Sequence, residues 1–204
     1  MAARRLFIAT GNAHKTQEIA QMLGEGWEVE DMRAHPQLES PEETGTTFDA
    51  NARIKAEAAS ASLPGLWVLS DDSGLEVDAL GGQPGVYSAR FGGPGAGDAG
   101  NRDKLKQVLT DVPTDKQDGW AGRFRCCMAI ARDGKTLAVF NGAVEGRIIA
   151  KEQGAGGFGY DPLFVPDGYS DTFGVLPAEV KNALSHRSRA LAQVIVWLEK
   201  AVSE

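Results

Sequence analysis

The sequence predicts a single domain of the α/β class that spans residues 1–204. Residues 6–9 and 66–69 are short apolar runs bounded by polar residues, glycine or proline, as in buried strands. Between them, one stretch that ends near Leu23 and another over residues 46–61 carry apolar residues at helical spacing. A chain of 204 residues is long enough to bury a substantial core, and no interdomain linker is visible.

The composition is that of a globular protein with net negative charge. The chain is 42% apolar and 24% charged, and its formal net charge is −7. Binding of polymeric nucleic acid needs a basic surface, so that class of function is excluded, whereas a small polyanion could still bind in a locally basic cleft. No apolar run reaches the length of a membrane span, and the first one is too short for a signal peptide. We therefore expect no membrane partner and a cytoplasmic location.

Residues 10–15, Thr-Gly-Asn-Ala-His-Lys, join the first predicted strand to the first predicted helix. Thr10 or Asn12 can cap that helix, and Gly11 lets the backbone approach a ligand closely. A helix N-terminus offers free N–H groups and the positive end of the dipole, and Lys15 adds a charge. The segment therefore predicts an anion site or, alternatively, an ordinary capped helix. It is not a P-loop, because the Gly-Lys-Ser/Thr sequence is absent.

The second predicted helix has a recognisable start and one notable face. Thr46 and Asp49 have the spacing of a capping box. Asn51 and Lys55 are four residues apart and therefore share a face. That face is either a solvated stripe or, because apolar residues lie near it, one held against the body of the protein.

Two adjacent carboxylates, Asp71 and Asp72, follow the apolar run 66–69, where we expect the strand to end. Open α/β sheets bind ligands at the carboxyl ends of their strands, and repulsion between neighbouring carboxylates favours a cation such as magnesium beside them. Successive side chains of a strand point to opposite faces, so the two aspartates are not expected to share one role. Glu42 or Glu43 is a candidate for a further metal ligand. The alternative is a polar turn without catalytic function.

The second half of the chain predicts more strands and a helix capped by Asp98. The strands are expected over residues 75–79, 124–130, 137–139 and 143–149, with a hairpin turn at Asp133-Gly134.

Residues 154–159, Gly-Ala-Gly-Gly-Phe-Gly, match the spacing of a dinucleotide-binding fingerprint. That interpretation is rejected, because Pro162 follows closely and the continuation predicts a strand rather than a helix. A glycine-rich turn that presents Phe158 and Tyr160 suits a flat ligand instead, since an aromatic ring can stack on a base.

The densest basic cluster of this acidic chain lies where the last helix is predicted to begin, with Ser185 as its N-cap. Positive charge at a helix N-terminus opposes the dipole preference, and such a local conflict points to function, although solvated surface is the usual explanation of basic clusters. The members of this basic cluster are Lys181, His186, Arg187 and Arg189.

Six segments carry a resemblance to a known family: Thr10-Gly-Asn-Ala-His-Lys15, Glu43-Thr-Gly-x-x-Phe48 with Asn51 and Lys55, Asp71-Asp-Ser-Gly-Leu75, Gly81-Gly-x-Pro-Gly-Val-Tyr-Ser-Ala-Arg90, Gly157-Phe-Gly-Tyr-Asp-Pro162 and Ser185-His-Arg187. In this order, over nearly the whole chain, they resemble the inosine/xanthosine triphosphate pyrophosphatases of bacteria. The resemblance implies an elongated mixed β-sheet flanked by helices, two lobes with a central nucleotide cleft, and a homodimer. It also implies magnesium-dependent hydrolysis of ITP, dITP and XTP to the monophosphate and pyrophosphate, which removes non-standard purines from the pool used for DNA and RNA.

The resemblance also assigns roles to residues by position. Asp72 would be the general base and, with Glu43, a metal ligand, while Glu42 and Asp71 remain alternatives to Glu43. Ser73 would contact the substrate, and His186 with Arg187 would read the base. Arg187 suits a 6-oxo acceptor, which hypoxanthine and xanthine share with guanine. The phosphates and the rest of the nucleotide would be held by Thr10, Gly11, Asn12, Ala13, His14, Lys15, Phe158, Gly159, Tyr160, Asp161 and Lys181.

Two other functions remain open on the sequence alone. One is a nucleotide hydrolase or phosphotransferase with a different base preference. The other is a regulatory module that binds a nucleotide without chemistry, in which Asp71, Asp72 and Lys55 would be superfluous.

Overall fold

A computed structural model describes residues 4–201, which form one mixed six-stranded sheet and five α-helices. The α/β class and the mixed sheet predicted above are therefore confirmed. The strands are β1 (Arg4–Ile8), β2 (Trp27–Asp31), β3 (Trp67–Val77), β4 (Trp120–Arg132), β5 (Lys135–Ile148) and β6 (Phe164–Pro166). The helices are α1 (Ala13–Leu23), α2 (Phe48–Ser62), α3 (Gly97–Leu109), α4 (Ala178–Leu184) and α5 (His186–Ala201).

The strands lie in the order β2-β1-β3-β4-β5-β6. β1 is parallel to both of its neighbours, with Leu6 opposite Val29 on one side and Trp67 on the other. β5 and β6 are antiparallel. The two-residue turn between β4 and β5 places Asp133 and Gly134 at positive φ, as type I′ hairpins require, which confirms the predicted hairpin.

β3 does not end at the paired aspartates, so the expectation of a strand end there is wrong. A single strand runs from Trp67 through Asp71 and Asp72 to Val77 and includes most of the separate strand expected over residues 75–79. Polar groups within it bond to partners outside the strand: the buried Ser70 hydroxyl donates to the carbonyl of Ala52 at 2.6 Å, and Asp71 accepts from Arg187. Because buried polar groups are tolerated when they are paired, polarity alone does not end a strand.

The helix starts agree only partly with the sequence. Asn12 caps α1, as one of the two predicted candidates, whereas α2 is capped by Thr47 rather than Thr46. Asp98 lies inside the first turn of α3 and is not its cap. α5 begins directly after Ser185, the predicted cap position.

The chain divides into two compact units. The first comprises the described residues up to Asp72, Cys126–Gly142 and those from Arg187 onward, and the second comprises Ser73–Arg125 and Ala143–His186. The core of the first unit includes Leu6, Ile19, Leu69, Met128 and Val194, and that of the second includes Leu75, Leu105, Phe124, Phe164 and Phe173. The implied central cleft stays a prediction. Among residues 4–201, no helix is long and apolar enough to cross a membrane.

Candidate active site

Asp71 lies in the middle of β3 with only 1% of its surface exposed. Its Oδ2 accepts hydrogen bonds from Nε of Arg187 at 2.9 Å and Sγ of Cys126 at 3.2 Å, and its Oδ1 accepts from Nζ of Lys15. Burial alone would raise the pKa of Asp71, but the charges of Arg187 and Lys15 outweigh burial and hold that pKa well below its ordinary value. Asp71 is therefore an ionised member of a buried ion-pair network.

Asp72, the next residue, has a different set of partners, as alternation along the strand predicts. Its Oδ1 accepts a hydrogen bond from Nζ of Lys55 at 2.7 Å, whereas its buried Oδ2 finds no hydrogen-bond partner within residues 4–201. Burial raises the pKa of Asp72, and Lys55 offsets this only in part. An unpartnered buried carboxylate oxygen is costly, so Oδ2 is the atom where a cation or a proton is expected.

Lys55 of α2 connects three acidic residues of the first unit. Its Nζ lies 3.1 Å from Oε1 of Glu43 and donates to the Asp71 carbonyl at 2.9 Å, in addition to its bond with Asp72. Burial lowers the pKa of Lys55, but the negative charges of Asp72 and Glu43 raise it by more than burial lowers it. The net change is upward, so Lys55 remains a cation. Lys15, Lys55, Glu43, Asp71, Asp72 and Arg187 together are called the charged cluster below.

Asn51 holds the segment that carries Glu43. It is completely buried, and its Oδ1 accepts a hydrogen bond from the backbone N–H of Gly45 at 2.8 Å. The face of α2 that Asn51 shares with Lys55 is therefore held against the body of the protein, the second of the two alternatives considered for it. Glu42 is exposed, whereas Glu43 is within reach of Lys55.

Residues 10–15 comprise the turn after β1 and the first three residues of α1. Residues 11–14 are exposed. Oδ1 of Asn12 accepts hydrogen bonds from the N–H groups of His14 at 2.9 Å and Lys15 at 3.3 Å, and the N–H of Asn12 donates to Oγ1 of Thr10. These N–H groups are thus occupied by the cap rather than free, and the charge of Lys15 is directed to Asp71. The role of residues 10–15 in holding phosphates stays a prediction.

The second group of predicted residues lies in the second unit, in residues 154–161, called the glycine loop below. Oδ2 of the buried Asp161 accepts hydrogen bonds from the N–H of Phe158 at 2.8 Å and from Nζ of Lys181 at 2.7 Å. That Nζ also lies 4.7 Å from the centroid of the Phe158 ring. Gly157 has φ +69°, and a Cβ atom there would lie 2.0 Å from Oδ2 of Asp161, so only glycine fits. The hydroxyl of Tyr160 donates to the carbonyl of Ser88 at 2.8 Å.

His186 and Arg187 are neighbours in sequence but belong to different units. The ring of His186 stacks on that of Phe124, with centroids 5.0 Å apart. Arg187 is 1% exposed, and its guanidinium donates to Asp71 and, through Nη1, to Oε2 of Glu18 at 2.5 Å. The Asp71 and Glu18 charges raise the pKa of Arg187 despite its burial, so it carries a permanent positive charge. Base reading by either residue stays a prediction, as does the substrate contact of Ser73.

Glu18 was not identified from the sequence. The signal that could have found it is helical spacing, because Glu18 follows Lys15 by three residues and lies on the same face of α1. Glu18 pairs with Arg187, which is 169 residues away in the chain, so only the fold could reveal the pair.

The charged cluster contains the residues best suited to hold a divalent cation. Within residues 4–201 no group of three or more His, Cys, Asp or Glu side chains is arranged so that it could hold a metal ion by itself. Magnesium seldom uses such a group; it commonly takes one or two carboxylates together with water and substrate phosphates. Asp72, whose Oδ2 has no hydrogen-bond partner among residues 4–201, and Glu43, which shares Lys55 with it, fit that pattern.

Comparison with known proteins gives consistent matches over nearly the whole chain. A model of the Ham1 family matches residues 6–197. Proteins named dITP/XTP pyrophosphatase from Desulforamulus reducens and Exiguobacterium sibiricum are each 44% identical, over 96% and 98% of this chain and 96% and 100% of theirs. The structures of Ham1 proteins from Staphylococcus aureus and Coxiella burnetii superpose with TM-scores of 0.82 and 0.83, at 35% and 34% identity. Each covers 97% of this chain, and 100% and 99% of its own.

Proposed function

The chain belongs to the Ham1 family, and on this premise we propose that it is a pyrophosphatase of non-standard purine nucleoside triphosphates. It hydrolyses ITP, dITP and XTP at the anhydride bond between the α- and β-phosphates, which yields the monophosphate and pyrophosphate. This reaction keeps hypoxanthine and xanthine nucleotides out of DNA and RNA.

The observation that carries the proposal is the buried Oδ2 of Asp72, which has no hydrogen-bond partner in the part of the chain that the structure describes. In the proposed reaction this oxygen accepts a proton from the attacking water, and Lys55 holds the other carboxylate oxygen so that Oδ2 keeps its direction. Phosphoryl transfer depends mainly on positioning and on neutralising charge, and the cations of Lys15 and Lys55 contribute to both.

Magnesium is the proposed cofactor, with Asp72 and Glu43 as its protein ligands. A bound magnesium ion would supply charge neutralisation at the phosphates and acidify water. Its charge would also relieve the cost of burying two acidic side chains that share Lys55 as a counterion. Chelation with EDTA should abolish turnover, and added magnesium should restore it.

The binding roles that the resemblance assigns to individual residues are part of the proposal. Residues 10–15 would hold phosphates, and the glycine loop, with Lys181 and His186, would hold the base. Arg187, which pairs with Asp71 and Glu18, is proposed to donate to the 6-oxo group of the base as well. A homodimer and a cytoplasmic location, where nucleoside triphosphates are made and used, complete the proposal.

The test is release of pyrophosphate and of orthophosphate from ITP, XTP, GTP and ATP, by the unaltered protein and by Asp72→Asn. We expect pyrophosphate from ITP and XTP, and a loss of about 10³-fold in kcat in the variant, which is typical of removing a general base. Orthophosphate as the product, or equal rates on all four nucleotides, would contradict the proposal.

Asp49→Asn is the matched control, because Asp49 is an exposed carboxylate on α2 that pairs with Arg53 and takes no part in the charged cluster. It should retain normal turnover. An equal loss in both variants would show that the effect of Asp72→Asn is not specific to its position.

A further inference from the structure

The peptide groups on both sides of Gly159 are held by two side chains of α3. Oδ2 of Asp98 accepts a hydrogen bond from the N–H of Gly159 at 2.7 Å, and Nη1 of Arg102 donates to the carbonyl of Gly159 at 2.9 Å. Asp98 and Arg102 are four residues apart and therefore share one face of the helix. All three residues lie in the second unit.

Arg102 is itself held in place. Its Nε donates to Oε2 of Glu152 at 2.9 Å, and Oε1 of Glu152 accepts from Nζ of Lys106, one helical turn further along α3, at 2.8 Å. Hydrogen bonds from Lys106 and Arg102 lower the pKa of Glu152, although its partial burial opposes them, so this carboxylate is ionised at neutral pH. The guanidinium is thus fixed between two acceptors, with 17% of its side chain exposed.

This contact matters because Gly159 connects the two aromatic residues of the glycine loop. Gly159 has φ +60° and no side chain that could anchor it. Phe158 is held on one side by the bond of its N–H to Asp161, and Tyr160 on the other by its hydroxyl bond to Ser88. A glycine between them would be a point of backbone freedom, since glycine has the largest conformational entropy of any residue.

Asp98 lies in the first turn of α3, where the helix dipole favours an acidic residue, and its carboxylate also reaches the glycine loop. The hydrogen bond between Asp98 and Gly159 lies at an exposed position, and hydrogen bonds from a backbone N–H to a charged group are among the stronger ones in proteins.

We propose that Asp98 and Arg102 are positioning residues for nucleotide binding, which fix Gly159 and thereby the ring of Phe158 where the purine base binds. The ring of Tyr160 is 4% exposed and belongs to the core, so it anchors the other end of Gly159. This inference rests on the proposed function, because it assumes that the glycine loop binds the base. Neither Asp98 nor Arg102 is proposed to touch the substrate. They order the backbone of the glycine loop before the nucleotide binds, so that binding loses less conformational entropy.

The test uses Asp98→Ala and Arg102→Met, with ITP as substrate. Each should raise KM about tenfold, the effect of losing one charged hydrogen bond that orders the loop, while kcat stays within about twofold. Asp98→Asn should restore KM, since the amide oxygen can still accept from Gly159. Asp103→Ala is the control, because Asp103 is a 72% exposed carboxylate of the same helix that pairs with Lys106 and not with the loop.

A second measurement reports on the loop without catalysis. Amide hydrogen exchange over residues 154–161 should become about tenfold faster in Asp98→Ala and Arg102→Met and remain unchanged in Asp103→Ala. Unchanged exchange, unchanged KM, or a fall in kcat at constant KM would overturn the proposal. An equal effect of Asp103→Ala would overturn it as well.

The two proposals fail in different ways. If the unaltered protein releases no pyrophosphate from ITP or XTP, the proposed function is wrong, and this inference falls with it. If the unaltered protein is active and the variants keep its KM, only the positioning role is wrong.

Discussion

The charged cluster and the glycine loop are built in opposite ways. In the cluster, the charges other than Glu43 stand on helices and strands, and its acidic groups pair with lysine or arginine, as Asp71 does with Arg187 and Lys15. In the loop, the backbone is irregular and is fixed by side chains that bond its peptide groups, as Asp161 and Asp98 do. The contribution of the charged cluster to stability should therefore depend on charge, and that of the glycine loop on the space around its backbone.

The largest expected effect is at the buried end of the cluster. Asp71→Asn keeps the volume of the side chain but leaves Arg187 and Lys15 without their shared carboxylate. Removing one partner of a buried ion pair costs about 3–5 kcal/mol, and we expect a loss of that size in the free energy of unfolding measured with urea. Asp49→Asn, which breaks an exposed pair with Arg53, should cost less than about 1 kcal/mol. Similar losses in the two variants would show that the cluster does not depend on buried charge.

The next effect tests whether the loop depends on space. Gly157→Ala and Gly159→Ala both place a side chain at positive φ, but only at Gly157 would the new Cβ meet another group, the Asp161 carboxylate. Gly159→Ala should cost about 1–2 kcal/mol of unfolding free energy from backbone strain alone. Gly157→Ala should cost about 2 kcal/mol more, because Asp161 must move from its bonds to Phe158 and Lys181. Equal losses of unfolding free energy in the two variants would mean that backbone strain alone, and not contact of the new Cβ with Asp161, destabilises the loop.

The smallest expected effect is the pH dependence of the cluster. The folded-state pKa of Asp71 is depressed, so its stabilising contribution is complete above the unfolded value of about 4 and is lost as pH falls through the folded value. Between pH 4 and pH 3, the unaltered protein should lose up to about 1 kcal/mol more unfolding free energy than Asp71→Asn. Parallel pH profiles would contradict the depressed pKa. Other acidic groups titrate in both proteins, so the difference isolates Asp71.

Much of the fold follows from local patterns, and the exceptions have a common cause. The first strand, the first two helices and the Asp133-Gly134 hairpin were predicted because their signals lie within a few residues of one another. The continuous β3 was missed because Asp71 and Asp72 look like the polar end of a strand until their partners are known. The cap of α3 was misassigned because the acceptor role of Asp98 is used by Gly159, 61 residues away.

For the candidate site, the sequence named the residues but not their pairing. By itself it determined the α/β class, the motifs and the residue types that suit phosphate and purine chemistry, because these depend on spacing along the chain. Only the tertiary structure decided that Lys55 bridges Glu43 and Asp72 and that Arg187 binds Asp71 and Glu18. It also decided that one oxygen of Asp72 has no hydrogen-bond partner among the described residues. The physical reason is that burial and ion pairing depend on distances in space, and residues far apart in sequence set those distances only when the chain folds.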